Sequence, residues 1–345
     1  MRPGPDLDLN VNTPATRSAH DHAYAGVRVA VLGASGFIGR WLTRALWEAG
    51  AETGLLIRDA VRARRVLADH GIRDATLIEV DLTEPLAVRK AMASFRPSVT
   101  FNAAGYGVDH RERDASLGMR INGEMVHCAA QAAADCLDRE WPGAHFVQLG
   151  SALEYGTAGG DLIETTPPNP TTWYGTSKLA GTRHLEAVCR RSPAFRGVTA
   201  RLFMVYGPGE HAGRLFPTLI SAASSNDMIT LSAGHQKKDF TYVEDAAQGC
   251  LRLGASAARE GEVVNLATGK LTMVRRFVEM AADELDLRAN RLEFGAVEVR
   301  PGEMNHDPVR LDRLRSLTGW APSTSIQQGI RATLTFLRSG CVHGR

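Results

Sequence analysis

A tyrosine and a lysine four residues apart form the pattern that most directly suggests chemistry. Tyr174 and Lys178 lie in the stretch Tyr-Gly-Thr-Ser-Lys, and in a helix both side chains would share one face. A free tyrosine, with a pKa of about 10, exchanges protons poorly at neutral pH, whereas a neighbouring ammonium favours the phenolate. Ser151 ends a predicted strand and can donate a hydrogen bond to a carbonyl or alkoxide oxygen. These three residues predict a catalytic proton-transfer set.

A glycine-rich turn predicts a phosphate-binding loop. It lies between an apolar strand at residues 27–32 and an amphipathic helix. A dinucleotide pyrophosphate needs close backbone approach, free N–H groups and a helix N-terminus, and glycines at this junction provide all three. The spacing differs by one residue from the common Gly-x-Gly-x-x-Gly form. The residues expected to bind the cofactor here are Gly33, Ser35, Gly36, Phe37, Ile38 and Gly39.

The end of the second predicted strand bears on the choice of cofactor. An acidic residue at this position binds the ribose hydroxyl of NAD, whereas an arginine accommodates the 2′-phosphate of NADP. Arg58 stands there and Asp59 follows it, with further arginines nearby that also fit a solvated basic helix. We therefore expect Arg58 to bind a 2′-phosphate, so that NADP(H) is favoured and NAD(H) stays an alternative.

Two later strand ends are expected to approach the same cofactor. Asp81 and Leu82 follow the third strand, and the small residues Ala103, Ala104 and Gly105 follow the fourth. Open α/β sheets bind ligands at the carboxyl ends of their strands, although ordinary turns would explain each stretch equally well if taken alone.

The elements that must position these residues alternate between strand and helix. Strands are expected at residues 27–32, 53–57, 76–80, 98–102, 144–149 and 198–203, with a basic helix at 61–70 and long helices at 115–134 and 174–191. This alternation predicts an α/β fold, a Rossmann-type doubly wound parallel sheet with a smaller mixed α/β C-terminal substrate-binding domain. We expect a flexible leader at 1–25, the dinucleotide-binding domain at 26–203 with a return at 239–266, and the interleaved substrate-binding domain at 204–238 and 267–340.

Composition excludes several classes of protein. The 345 residues are 44% hydrophobic and 23% charged with a formal net charge of +2, so nothing global points to nucleic acid or an anionic membrane. No apolar run approaches the roughly 18 residues of a membrane span, and the N-terminus lacks the apolar core of a secretory signal. Five scattered cysteines fit reduced thiols, and no metal-ligand spacing occurs. We expect a cytoplasmic protein without a metal site.

Taken together, the motifs resemble those of the extended short-chain dehydrogenase/reductases, in particular the NAD(P)-dependent nucleotide-sugar epimerase/dehydratase/reductase branch. The resemblance runs from about Val27 to Leu337. It rests on ordered stretches that include GASGFIG, NAAG, GSALEYG, YGTSK, RLFMVYGPG, KDFTYVEDAAQG, NLATG and RPGEM.

The resemblance implies roles for individual residues. Tyr174 would be the acid/base, Lys178 would hold the nicotinamide ribose and lower the pKa of Tyr174, and Ser151 would hydrogen-bond the reacting oxygen. The nucleotide and diphosphate of the substrate would face residues 201–214 and, further along the chain, Lys238 and Arg300; the candidate substrate residues are Ser151, Met204, Arg214, Lys238 and Arg300.

Departures from the family pattern narrow the reaction. Related 4,6-dehydratases carry an acidic residue one or two places after the catalytic serine or threonine, where this chain has Ala152 and Leu153; Glu154 would point elsewhere on a strand. Dehydration is therefore disfavoured. Met204 and Lys238 replace the asparagine and arginine of many relatives, which leaves the substrate open.

The favoured function is an NADPH-dependent reductase of a 4-keto group on a nucleotide-linked 6-deoxyhexose. A net reductase consumes NADPH, which is consistent with the 2′-phosphate contact expected of Arg58. An NAD-dependent nucleotide-sugar 4-epimerase and a reductase of a non-sugar ketone stay as alternatives; a cofactor-binding sensor is disfavoured by the intact Ser-Tyr-Lys set. The long helices at 115–134 and 174–191 would form a homodimer contact, or would simply pack on the sheet.

Overall fold

A computed structural model describes residues 21–109, 111–225, 227–299 and 304–339. The strands are β1 Arg28–Leu32, β2 Glu52–Ile57, β3 Thr76–Glu79, β4 Val99–Asn102, β5 Phe146–Ser151, β6 Gly197–Leu202, β7 Met204–Tyr206, β8 Ile229–Leu231, β9 Lys237–Tyr242, β10 Glu262–Leu266, β11 Leu271–Met273 and β12 Leu292–Phe294. The helices are α1 Phe37–Glu48, α2 Ala60–Ala68, α3 Pro85–Phe95, α4 Ala115–Met119, α5 Met125–Asp135, α6 Trp173–Arg191, α7 Leu215–Ala223, α8 Val243–Ala255, α9 Val274–Glu284, α10 Asp312–Thr318 and α11 Ile326–Arg338.

The main sheet has seven parallel strands in the order β3-β2-β1-β4-β5-β6-β10. The strand order reverses between β1 and β4, which opens a crevice at the carboxyl ends of these strands. The register places Leu32 beside both Leu56 and Asn102, so the turns that follow three strands meet at one edge. The predicted Rossmann-type fold is confirmed.

Alternating strand residues supply two separate cores. Val29, Val31 and Phe101 belong to the core on one face of the sheet, whereas Ala30 and Leu32 belong to the core on the other. Successive side chains of a strand point to opposite faces, so a parallel sheet covered by helices on both sides reads as a continuous apolar run.

Two small sheets, β11-β9-β7 and β12-β8, make up the rest of the mixed α/β part together with the C-terminal helices. Their aromatic core contains Phe240 and Phe277, stacked at 4.3 Å, and Tyr206 in edge-to-face contact with Phe277. This cluster belongs to the same continuous core as one face of the main sheet. Because the two parts share a core, the expected domain boundaries stay a prediction.

Tyr24, which the expected leader includes, is packed into the fold. The leader residues 1–20 lie outside the described residues, but Tyr24 is fully buried, and its hydroxyl donates to the Leu251 carbonyl at 2.6 Å. Its ring packs on Phe101 and Trp141. An aromatic side chain that gains this much buried contact belongs to the core rather than to a flexible leader.

The long helix expected at 115–134 is continuous but contains a π-helical turn at Arg120–Glu124, between α4 and α5. Both α5 and α6 bury side chains against the sheet or each other, among them Val126, Leu185 and Val188. The expected dimer contact through these helices stays a prediction. Within the described ranges, no helix is both long and apolar enough to cross a membrane.

Candidate active site

Internal packing explains two of the three glycines in the loop after β1 but explains the third less well. Gly33 has a φ of +73°, and a Cβ there would lie 2.7 Å from the Ala104 Cα; a Cβ on Gly39 would lie 2.1 Å from the Gly33 carbonyl oxygen. These two glycines are required by the protein itself. A Cβ on Gly36 would meet only the Gly33 oxygen, at 3.1 Å, so internal packing demands glycine less strongly at this position.

The N-terminus of α1 fits an anionic group. Gly36 is the N-cap and supplies no side-chain acceptor, so no side-chain cap satisfies the first N–H groups of the helix. Phe37 and Ile38 form the first turn and are half-buried, and Ser35 precedes the cap. Free helical N–H groups and the helix dipole together attract phosphate. The residues present therefore fit the pyrophosphate of a dinucleotide.

One arginine that the sequence analysis missed holds this loop in shape. Arg40 Nε donates to the Gly36 carbonyl at 3.0 Å, and its Nη2 donates to the Ser35 carbonyl at 3.2 Å. The adjacent Trp41 donates from Nε1 to the Pro208 carbonyl at 2.9 Å, which ties α1 to the loop after β7. Arg40 directly follows the last glycine of the motif, and this position in the sequence could have identified it as a residue that contacts the loop.

At the end of β2, the arginine and the aspartate have different surroundings. Asp59 Oδ1 accepts from the Arg62 N–H at 2.9 Å and so caps α2, whereas Arg58 is exposed. Asp81 is also engaged locally, because both the backbone and the hydroxyl of Thr83 donate to its Oδ1 at 2.8 Å. These hydrogen bonds lower the pKa of Asp81, and Arg58 adds to the effect. Leu82 beside it is half-buried.

The turn after β4 lies against the glycine loop and α6. Ala104 packs on Gly33, while Gly105 is exposed, with a Cβ position 3.8 Å from the Lys178 Nζ. Ala103 is half-buried and donates from its backbone to the Leu32 carbonyl at 3.0 Å. These three small residues thus lie where backbone could approach a bound ligand, between the glycine loop and the predicted catalytic lysine.

The predicted catalytic residues meet at the carboxyl end of β5. Thr172 caps α6 through the Gly175 N–H at 3.0 Å, and the first turn of the helix then presents Tyr174, whose phenol lies close enough to the Ser151 hydroxyl for that hydroxyl to lower the pKa of the tyrosine. Lys178 is one turn further on, 4% exposed, and its Nζ donates to the Leu149 carbonyl at 2.7 Å. The structure therefore brings Ser151, Tyr174 and Lys178 together.

Burial dominates the electrostatics of this set. It raises the pKa of Tyr174 to about 12. From the sequence we expected Lys178 to lower this pKa, but the largest lowering effect comes from the Arg214 guanidinium. Burial lowers the pKa of Lys178 to about 8, and the nearby Glu154 carboxylate partly offsets that fall. Desolvation disfavours the charged form of each group. At neutral pH the tyrosine is therefore protonated, and the lysine is mostly protonated although its pKa lies only about one unit above the pH.

The expected substrate residues divide into two groups. Met204 and Arg214 are half-buried and in contact, with Arg214 Nη2 3.3 Å from the Met204 Sδ and its Nε 3.3 Å from the Glu210 Oε1. Lys238 is 9% exposed, and its Nζ donates to the Met304 carbonyl at 3.2 Å, so it holds the segment that follows residues 300–303. Arg300 itself lies outside the described residues.

Two expectations about neighbouring residues are wrong. Glu154 does not lie on a strand; it ends a 3₁₀ turn at Ala152–Glu154, and its carboxylate turns back to the Ser151 backbone. Arg201, expected to face the substrate, is 3% exposed and pairs with Glu154 at 3.0 Å. Burying a charged group without a partner is costly, and the pairing of the Arg201 guanidinium with the Glu154 carboxylate offsets that cost for both side chains.

Among the described residues, no cluster of three or more histidine, cysteine, aspartate or glutamate side chains could hold a metal ion. The chemistry that this arrangement can perform is proton transfer from a half-buried phenol to an oxygen atom that Ser151 could also contact, next to a loop suited to a dinucleotide.

Comparisons with known proteins agree with this geometry. Residues 29–267 match the model of the NAD dependent epimerase/dehydratase family. A dTDP-6-deoxy-L-talose 4-dehydrogenase (NAD(P)(+)) of Kitasatospora kifunensis is 28% identical over 90% of this chain and 96% of its own length. A dTDP-4-dehydrorhamnose reductase of Streptomyces griseus is 30% identical over 68% of this chain and 67% of its own length.

The fold also matches solved structures. The structure of MoeE5 in complex with UDP-glucose and NAD has a TM-score of 0.77 at 24% sequence identity, covering 90% of this chain and 99% of that one. The match to the family model and the curated relatives confirm the predicted enzyme class, an NAD(P)-dependent enzyme of the extended short-chain dehydrogenase/reductase type. On its sequence motifs, its seven-stranded sheet and the match across residues 29–267, this chain belongs to the NAD dependent epimerase/dehydratase family of extended short-chain dehydrogenase/reductases.

Proposed function

We propose that this enzyme is an NADPH-dependent reductase of a 4-keto group on a nucleotide-linked 6-deoxyhexose. The observation that carries the proposal is the proximity of the half-buried Ser151 and Tyr174 side chains, with the buried Lys178 ammonium beside them and the glycine loop nearby. Two relatives are named for chemistry at the 4-position of dTDP-linked 6-deoxy sugars, a 4-dehydrogenase and a 4-dehydrorhamnose reductase. A dehydrogenase run in reverse is a ketone reductase.

The surroundings of Ser151 support reduction over dehydration. Elimination of water needs an acid/base side chain near the sugar, and the two residues after Ser151 are alanine and leucine. The next acidic residue, Glu154, is fully buried and accepts hydrogen bonds from Arg201, Thr182 and the Ser151 backbone. Its carboxylate is committed to these contacts and is unsuited to carry protons to or from a substrate.

In the proposed mechanism, the glycine loop would hold NADPH, which when bound would supply the hydride for the carbonyl carbon of the substrate. Ser151 donates a hydrogen bond to the carbonyl oxygen and orients it. Tyr174, protonated because burial holds its pKa at about 12, donates a proton to the same oxygen as the alcohol forms. Lys178, anchored on the Leu149 carbonyl, would hold the nicotinamide ribose and would keep a positive charge near the phenol.

The first prediction is turnover with a ketosugar. When the purified enzyme is given NADPH and a dTDP-4-keto-6-deoxyhexose, the absorbance of the reduced nicotinamide should fall in proportion to the alcohol formed. Interconversion of 4-epimers without added cofactor, by protein that already carries NAD, would instead support a 4-epimerase. Turnover of a non-sugar ketone alone would support the third alternative, and oxidation of NADPH by none of these ketones would contradict the reductase.

The second prediction concerns cofactor choice. We propose that Arg58 binds the 2′-phosphate of NADP, because it is exposed at the end of β2 while Asp59 is occupied as the cap of α2. Arg58→Ala should raise the KM for NADPH by about 10- to 100-fold, the range of a charge-assisted hydrogen bond of roughly 1.5–3 kcal/mol, and leave the KM for NADH unchanged.

Arg64→Ala, on the exposed side of α2, is the matched control and should change neither constant. Equal losses with NADPH and NADH in Arg58→Ala, or a wild-type enzyme that prefers NADH, would contradict the assignment of Arg58.

A further inference from the structure

The buried Glu154–Arg201 pair lies directly behind the predicted catalytic residues. Glu154 is 0% and Arg201 3% exposed, with 3.0 Å between Oε2 and Nε. The Arg201 guanidinium also lies 4.4 Å from the centre of the Tyr155 ring, which closes the other side. Replacement of a buried ion pair by apolar residues of similar volume is often neutral or even stabilising, so stability alone is a weak account of this pair.

In addition to Arg201, Glu154 contacts two segments of the active site, the end of β5 and helix α6. Its Oε1 accepts from the Ser151 N–H at 2.8 Å, while the Ser151 hydroxyl accepts from the Leu153 N–H, a reciprocal capping box. Its Oε2 accepts from the Thr182 hydroxyl at 2.9 Å, one helical turn beyond Lys178 on α6. A Cβ on Gly150 would lie 2.7 Å from Oε1, so the glycine before Ser151 makes room for the carboxylate.

We propose that Glu154, held by Arg201, is a positioning residue that sets the conformation of Ser151 and places a fixed negative charge behind Lys178, the residue assigned to cofactor binding. The proposal rests on the assignment of Ser151 and Lys178 in the proposed function. In this role the ion pair acts through Ser151 and Lys178, and neither Glu154 nor Arg201 touches the substrate.

The surrounding charges are consistent with this role. Burial lowers the pKa of Lys178, and Glu154 is the charged group that raises it again. Tyr174 faces Glu154, Glu112 in the segment before α4 and Arg214 at the start of α7; the two carboxylates raise its pKa and Arg214 lowers it. Loss of the Glu154 charge therefore lowers the pKa of both Lys178 and Tyr174, and each would lose its proton at a lower pH.

The test measures NADPH affinity by nicotinamide fluorescence from about pH 6 to about pH 10, which needs no ketosugar. Wild-type affinity should be constant at neutral pH and fall above pH 8, as Lys178 loses its proton. In Glu154→Gln the fall should begin about 1 pH unit lower, because the carboxylate charge is gone while the side-chain length is kept. Glu154→Asp, which keeps the charge, should restore the wild-type midpoint.

Glu164→Gln is the matched control. Glu164 is also a buried carboxylate, 7% exposed, and it accepts from the Asn265 N–H at 2.9 Å and lies 4.0 Å from Arg313, but it does not contact Ser151 or Thr182. Its pH profile should match the wild type. A merely structural role for Glu154 would weaken binding equally at every pH, and an unshifted midpoint in folded Glu154→Gln overturns the proposal.

A second variant covers the case in which Glu154→Gln leaves Arg201 uncompensated and unfolds the protein. Glu154→Leu combined with Arg201→Met removes both charges and should fold, with the same downward shift of the midpoint. A wild-type midpoint in this double variant overturns the proposal, as does a wild-type affinity that stays flat to about pH 10. Absence of ketosugar reduction with a shifted binding midpoint would reject the proposed function and leave this inference standing.

Discussion

Replacing Tyr174 by phenylalanine is expected to lower kcat by about 10²- to 10⁴-fold, the usual contribution of a positioned general acid. Only the hydroxyl that lies beside Ser151 is removed, and the ring keeps its packing at the start of α6. The affinity for NADPH should change by less than about threefold, because the glycine loop and Lys178 are untouched. Steady-state rates and a fluorescence titration of the cofactor measure the two effects separately.

Tyr206→Phe provides the comparison. Tyr206 is almost fully buried, and its hydroxyl donates to the Ile326 carbonyl at 3.2 Å, so its removal also costs one hydrogen bond inside the fold. This variant should lose some stability and keep its kcat. If Tyr174→Phe retained more than about a tenth of the wild-type kcat, the proton would have to come from another group or from water.

The parts of the site that could be predicted from sequence are those that local spacing determines. The four-residue spacing of Tyr174 and Lys178 predicted a shared helix face, and both side chains do lie on α6 beside the end of β5. The glycine triplet was recognisable because a strand, a tight turn and a helix follow one another within about 20 residues. Such features depend on neighbours in the chain.

Non-local pairing is what the sequence could not reveal. Glu154 and Arg201 are 47 residues apart, and only the alignment of β5 beside β6, with Gly150 opposite Arg201, brings them together. Strand β9 is a similar case, because Lys237–Tyr242 begins with three charged residues yet buries Lys238 and Asp239. Asp239 accepts backbone hydrogen bonds from the loop at residues 268–270, which no local pattern announces.

Several elements were missed because their residues have weak intrinsic preferences. Helix α8 contains Gly249 and Gly254, which cost helix stability. Close packing explains them, since a Cβ on Gly249 would lie 2.5 Å from Leu266 and one on Gly254 would lie 2.4 Å from the Tyr24 hydroxyl. The strands β7, β8 and β11 have three residues each and gain their pairing only from partners brought by the fold.

The second large effect is expected at Gly39. In Gly39→Ala the new methyl group would lie 2.1 Å from the Gly33 carbonyl oxygen, a distance that only backbone movement can relieve. Overpacking of this kind typically costs about 1–3 kcal/mol, so the free energy of unfolding should fall by that amount. Because Gly33 is the first residue of the same loop, the movement should also weaken NADPH binding by at least about tenfold.

Gly36→Ala separates the two roles of the loop. Its methyl group would approach the Gly33 oxygen only to 3.1 Å, so the free energy of unfolding should change by about 1 kcal/mol or less, mostly from the altered helix N-cap. NADPH affinity should nevertheless fall as far as in Gly39→Ala, because the methyl group would occupy the space through which the pyrophosphate approaches the backbone. Gly159→Ala, whose nearest neighbour would be 3.8 Å away, should change neither quantity.

The comparison is decided by denaturant unfolding and by cofactor titration on the same protein samples. If a glycine is needed only for folding, its alanine variant should lose both unfolding free energy and NADPH affinity. If the glycine is needed for the ligand, its alanine variant should lose NADPH affinity and keep its unfolding free energy. Full NADPH affinity in Gly36→Ala would mean that no phosphate passes close to this residue, and the N-terminus of α1 would then have to be rejected as the dinucleotide site. Loss of affinity at Gly36 with stability retained is the result that the uncapped N-terminus of α1 leads us to expect.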